Sequence, residues 1–155
     1  MAYWLMKSEP GCYSIADLER DGASMWEGCR NYTVRNFLRD RFQVGDEAFF
    51  FHSNAEPSGI AGTMRVVRAA YPDPTQFDPD SEHFDPKSRQ GAPRWLAVDV
   101  AFGRRFPRVL PLAELRAAPG LEGMEVLRRG QRLSVMPVTA AEWAIVLRLA
   151  DGDLR

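Results

Sequence analysis

Glu47-Ala48-Phe49-Phe50-Phe51-His52, followed by the polar loop Ser53 to Gly59 and then by Ile60 to Ala70, is the stretch whose reading decides the fold. Three consecutive phenylalanines in a run this short favour a strand over a helix, and Gly45-Asp46 turns the chain into it. Ile60 to Ala70 reads as the hairpin partner. Gly59 just before that partner and Gly62 within it predict a bulge or a close approach of another backbone, because glycine weakens a strand unless its missing side chain is needed.

Working outward, Tyr3 to Lys7 reads as a short strand stopped by Glu9-Pro10-Gly11. Ser14-Ile15-Ala16-Asp17 reads as a capping box that opens a short helix, with Ile15 and Leu18 as its buried stripe. From Thr33 to Phe42 the residues Val34, Phe37, Leu38 and Phe42 recur at helical spacing, which leaves Arg35, Arg39 and Asp40 on the wet side. Tyr71 to Pro93 carries Pro72, Pro74, Pro79, Pro86 and Pro93 and is expected to be a long irregular loop. Loops of that length inside a compact domain are more often functional than idle.

Trp95 to Phe106 alternates as a strand, with Trp95, Ala97, Asp99 and Ala101 on one side and Leu96, Val98, Val100 and Phe102 on the other. Pro111 starts a helix through Arg116 that Pro119-Gly120 ends. Leu133 to Val138 is a further short strand. Thr139-Ala140-Ala141-Glu142 is a second capping box, opening a helix whose Trp143, Val146, Leu147 and Ala150 share a face. The layout is α+β: a mainly antiparallel sheet, open to closure into a β-barrel, with short helices packed around it. No internal repeat and no linker divides residues 1–155, so one domain is expected.

The chain has 155 residues and a net charge of −1. That size suffices to bury a core without a disulfide or metal staple. The charge balance argues against a protein that coats nucleic acid by bulk electrostatics and leaves local basic patches as docking surfaces. Cys12 and Cys29 are the two cysteines, with no Cys-x-x-Cys pair and no histidine at zinc-ligand spacing, so no metal or cofactor is expected and the thiols read as half-buried and inert. Neither a signal peptide nor a bilayer-spanning run is evident. The expectation is a cytoplasmic protein, monomeric by default.

One stretch stands out chemically: Trp26-Glu27-Gly28-Cys29-Arg30-Asn31-Tyr32-Thr33-Val34-Arg35-Asn36-Phe37-Leu38-Arg39. Aromatic faces stack on a base, amides match its hydrogen-bonding edge, and guanidinium groups pair with phosphates beside aromatic neighbours. The structural alternative is that Trp26 fills a core and the arginines form a solvated helix face. Three enzyme-like features compete. His52-Ser53 is one, although adjacent strand residues point to opposite faces and share a proton poorly. The loop Asp78 to Asp85 is acidic but lacks the glycine and ligand spacing of a calcium loop. A reactive Cys12 or Cys29 needs a neighbouring base. A protein-interaction module, using Phe77, Phe84 and the loop prolines beside Lys87, Arg89 and Arg94, is a further alternative to an enzyme acting on nucleotides or RNA.

Taken together, Tyr3-Trp4-Leu5-Met6-Lys7-Ser8-Glu9-Pro10, Trp26 to Tyr32, Val34 to Arg39, Phe49-Phe50-Phe51-His52-Ser53, Gly59-Ile60-Ala61-Gly62 and Ala70-Tyr71-Pro72-Asp73 resemble the EVE-domain family, relatives of the PUA-like and YTH folds. The resemblance continues through Phe84-Asp85-Pro86-Lys87-Ser88, Pro93-Arg94-Trp95, Val98-Asp99-Val100 and Arg132-Leu133-Ser134-Val135. The order and spacing of these segments, over roughly residues 3 to 149, carry the match. It implies a PUA-like β-barrel that reads a modified base, such as a modified cytosine or adenine, in DNA or RNA, without chemistry of its own. It further implies Trp26 as the cage aromatic, Asn31 and Ser53 at the base edge, and Lys7, Ser8, Tyr71 and Ser134 as rim or wall. Arg30, Arg35 and Lys87 are then the phosphate contacts. Trp26→Ala is expected to remove base preference with little effect on stability. Cys29 and Met136 depart from the family pattern, where an aliphatic residue and a glutamine are usual, and Met136 bears on base preference.

Overall fold

The computed structural model describes residues 1–152. Six strands, β1 (Tyr3–Ser8), β2 (Ala23–Trp26), β3 (Glu47–His52), β4 (Gly59–Pro72), β5 (Leu96–Pro111) and β6 (Val135–Val138), form one sheet in the order β2-β5-β4-β3-β1-β6. β1 and β3 run parallel, and the other pairings are antiparallel. Helices α1 (Ile15–Asp21), α2 (Tyr32–Asp40), α3 (Leu112–Ala117) and α4 (Ala140–Asp151) complete the α+β layout.

The sheet is open: β2 and β6 are its edges among the described residues, and no pairing closes the barrel implied by the resemblance. Both faces are covered instead. Trp4, Met6, Ala48 and Phe50 pack in one apolar cluster with Leu18 of α1 and Val34 and Leu38 of α2. Leu5, Phe49 and Phe51 enter a second cluster with Leu115 of α3 and Trp143 and Val146 of α4. The uninterrupted runs Trp4-Leu5-Met6 and Phe49-Phe50-Phe51 follow, since a central strand covered on both faces needs apolar residues at every position rather than at alternate ones.

Both capping boxes form, at Ser14 with Asp17 and at Thr139 with Glu142. The glycine expectation is met as a close approach. A Cβ on Gly59 would lie 2.1 Å from the Leu110 carbonyl oxygen, and one on Gly62 would lie 2.2 Å from that of Arg104. The β3–β4 register shifts between Phe50 and Phe51, and the β4–β5 register between Ile60 and Gly62. β2 was not foreseen: Ala23-Ser24-Met25-Trp26 is a short edge strand paired with β5. It matters because it delivers Trp26 to the end of β1.

Candidate nucleic-acid interface

Parallel pairing of β1 and β3 sets Lys7 opposite Phe51 and Ser8 opposite His52, so the carboxyl ends of both strands open at one place. There a cavity of about 290 Å³ is walled by Lys7 and Ser8 of β1, Tyr13 before α1, and Ser24, Met25 and Trp26 of β2. Glu27, Glu82, His83 and Cys12 complete it. Trp26 is only 7% exposed and meets Phe50 edge-to-face, ring centres 5.3 Å apart. It walls the cavity and belongs to the core at once. The His83 ring lies against Gly28, where a Cβ would come within 2.7 Å of it; with φ +81° at that residue, only glycine suits both the backbone and the contact. Burial lowers the pKa of Lys7. Burial, and then the neighbouring Asp73 charge, raises that of Glu27.

The loop that carries Glu82 and His83 is built rather than slack. Gln76, fully buried within the 3-10 turn Pro74–Phe77, donates to the Asp73 and Trp95 carbonyls and accepts from the Trp95 and Arg94 backbone N–H groups and from the Ser88 hydroxyl. Trp95 Nε1 donates to Asp85 at 2.7 Å. Arg30 reaches across from the β2–α2 connection. It donates to Asp73 at 3.0 Å, to Thr75 Oγ1 at 3.1 Å, to the Cys29 carbonyl and twice to the His83 carbonyl.

Asp73 is buried; burial alone would push its carboxyl up, but hydrogen bonds from Thr75, Gly28 and Arg30 outweigh that and hold it below its ordinary 3.8. A folded-state pKa below the unfolded one stabilises the fold fully above pH 3.8, and the contribution is lost as pH falls through the depressed value. The stability gap between wild type and Asp73→Asn should therefore narrow as thermal unfolding is followed from neutral pH into acid. Parallel curves would contradict this assignment.

The residues singled out from the sequence separate into three groups. Lys7, Ser8 and Trp26 meet at the cavity, with the Ser8 hydroxyl donating to the Tyr13 carbonyl at 2.7 Å. Lys7 also lines a second cleft, which contains Ser53. Asn31, Tyr71 and Ser134 line neither. Asn31 caps α2, its side-chain oxygen accepting from Val34 N; the Tyr71 hydroxyl donates to Asp99; and the Ser134 carbonyl accepts from Lys7 N. Arg30, read as a phosphate contact, instead has its guanidinium donors spent on the chain itself, because a half-buried cation beside a buried carboxylate is held by it. Arg35 stacks over Tyr32 at 4.7 Å and donates to Asn36 Oδ1, while Lys87 is exposed. Glu27, Tyr13, Glu82 and His83 are cavity residues that the sequence reading did not place there. The available signals were Gly28 before Cys29 and the length of the proline-rich loop.

His52 and Ser53 are not brought together. His52 Nε2 accepts from the Ile15 backbone N–H at 3.1 Å, and burial followed by Arg105 lowers its pKa. Burial of Cys29, reinforced by Asp73, pushes its thiol up to about 12, while Cys12 is exposed. Met136 is packed in the second apolar cluster and lines neither cleft. Asp85, in the acidic loop, serves Trp95 and the Lys87 backbone, and no group of three or more metal-ligating side chains occurs among the described residues. No helix among those residues is long and apolar enough to cross a membrane.

The EVE domain family matches residues 2–149 of the chain. Human thymocyte nuclear protein 1 is 44% identical over 171 residues, covering 98% of this chain and 75% of that protein. A crystal structure from Pseudomonas syringae superposes with a TM-score of 0.93 at 50% identity, covering 96% of this chain and 99% of the other. The human THYN1 protein in complex with 5-methylcytosine-containing DNA superposes with a TM-score of 0.89 at 44% identity, covering 97% of this chain and 98% of the other. These relatives support the PUA-like reading of the sheet and its helices, and the chain belongs to the EVE-domain family.

Proposed function

We propose that this protein is a non-enzymatic reader of modified DNA, which takes a methylated cytosine into the cavity beside Trp26 and His83. The observation that carries the reading is the composition of that cavity: aromatic walls from Trp26, Tyr13 and His83, carboxylates from Glu27 and Glu82, and the Lys7 ammonium. A cytosine presents an exocyclic amine next to a ring nitrogen and a carbonyl oxygen. Carboxylates accept from the amine, and an ammonium donates to the other two. The similarity to a human protein whose structure holds 5-methylcytosine-containing DNA supports the same choice of base.

Energetics favour a base that is already unpaired. Extruding a base costs a few kcal/mol, and stacking on an aromatic returns about 1 to 3 kcal/mol, so hydrogen bonds at the edge must close the balance. Thymine at the same position isolates that edge: it keeps the methyl group but replaces the amine by a carbonyl, which would face the carboxylates. Single-stranded oligonucleotides with one 5-methylcytosine should bind about tenfold or more tightly than those with thymine there. Equal affinity would show that the carboxylates do not read the base.

A further inference from the structure

The second cleft differs from the first in charge. Its volume is about 390 Å³, and it lies between the β3–β4 loop and the segment from α3 to Gln131. Lys7, Arg116, Arg128 and Arg129 line it, with no carboxylate among the lining residues. Glu125, the nearby acid, is occupied by Arg128 at 3.4 Å and by the Gln131 amide at 2.9 Å. Asn54 is likewise tied to Glu9, at 2.6 Å. Neither Arg116 nor Arg129 has an ion-pair or hydrogen-bond partner among the described residues. In a chain of net charge −1 this is local positive charge without internal compensation. Lys7 lines both clefts, so the two adjoin across one side chain.

From this juxtaposition we infer that the second cleft holds the phosphodiester backbone next to the base in the first cavity, with Arg116 and Arg129 as the principal phosphate contacts. The inference rests on the reader function proposed above. It replaces Arg30, whose donors are spent within the fold. Its occupant is set by charge complementarity: a strand entering the base cavity brings phosphates past Lys7, and guanidinium groups with open donors pair with phosphate bidentately. The apolar floor of Phe51, Leu112 and Val126 lets the arginine stems lie flat while their charged ends face the strand.

The test is the salt dependence of binding to single-stranded DNA, with and without 5-methylcytosine, for wild type, Arg116→Gln/Arg129→Gln and a control, Arg39→Gln, which removes a charge outside both clefts. Losing two phosphate contacts flattens the slope of log affinity against log salt by about 1.4, so between 50 and 200 mM salt wild type should lose about sevenfold more affinity than the double variant. The methylated-to-unmethylated ratio and the melting temperature should be unchanged, and Arg39→Gln should behave as wild type. An unaltered slope in the double variant, or no salt-dependent binding by wild type, overturns the backbone assignment. A wild-type ratio of one with a flattened slope in the double variant would retain the phosphate cleft and remove the reader function, so the two failures are distinct.

Discussion

Trp26→Ala is expected to lower the melting temperature by roughly 10 °C and to abolish the preference for methylated DNA at temperatures where the variant is still folded. The first effect departs from the expectation drawn from the sequence, that a cage aromatic can be removed at little cost. Trp26 is buried to within 7% and packs edge-to-face on Phe50, in the cluster that holds the sheet against α1 and α2. Replacing a buried tryptophan by alanine costs about 3 to 5 kcal/mol, and in a chain of this length each kcal/mol moves the midpoint by roughly 2 to 4 °C. Loss of binding follows because the same ring walls the cavity. Trp26→Phe separates the two roles, since it restores most of the packing and a stacking face. Calorimetry with oligonucleotide titration reads both. A stable Trp26→Ala protein would show that the ring is not part of the core, and retained methyl preference would show that it is not part of the site.

Arg30→Ala is expected to destabilise the fold by about 3 kcal/mol, because it leaves the buried Asp73 carboxylate without its cation and frees the His83 carbonyl. The loop from Asp73 to Trp95 should then exchange its amide hydrogens faster, with Glu82 and His83 among the affected residues, while the salt slope of DNA binding stays near that of wild type. Hydrogen exchange and a salt series check the two halves. A protein of unchanged stability with a flattened salt slope would return Arg30 to the phosphate-binding role first read from the sequence. That the structure favours the other outcome follows from geometry: Arg30 also lies over the Trp95 ring at 5.6 Å, fixed from its flat side as well as its donors.

The chemical content of Trp26 to Arg39 was legible, but its target was not. Aromatic, amide and guanidinium groups in alternation suit a nucleotide, and they suit each other equally well. Arg35 lies over Tyr32, Tyr32 meets Trp95 at a tilt with ring centres 4.9 Å apart, and Arg30 also lies over the Trp95 ring, while Asn31 turns its amide oxygen back to cap α2. Trp95 comes from a distant part of the chain, just ahead of β5, and a local pattern holds no record of such a partner. The element types were readable where one physical demand dominated, as with the two capping boxes and the close-approach glycines. The two-sided burial of the sheet was written in Phe49-Phe50-Phe51, where a strand with one wet face would alternate. β2 was missed because four residues are too few to show a period, although Asp21-Gly22 and Gly28 flank them. The loop that brings Glu82 and His83 to the cavity is held by Arg30, Gln76 and Trp95, contacts that link residues far apart in sequence.

The most direct test of the account is the affinity of wild-type protein for two single-stranded oligonucleotides that differ only in the 5-methyl group of one cytosine, measured at low and at moderate salt. One methyl in a fitted pocket discriminates by about 1 to 3 kcal/mol. The methylated strand should therefore bind about tenfold or more tightly, by a factor that survives the change in salt while both absolute affinities fall. Equal affinity for the two strands at both salt concentrations would contradict the reader function.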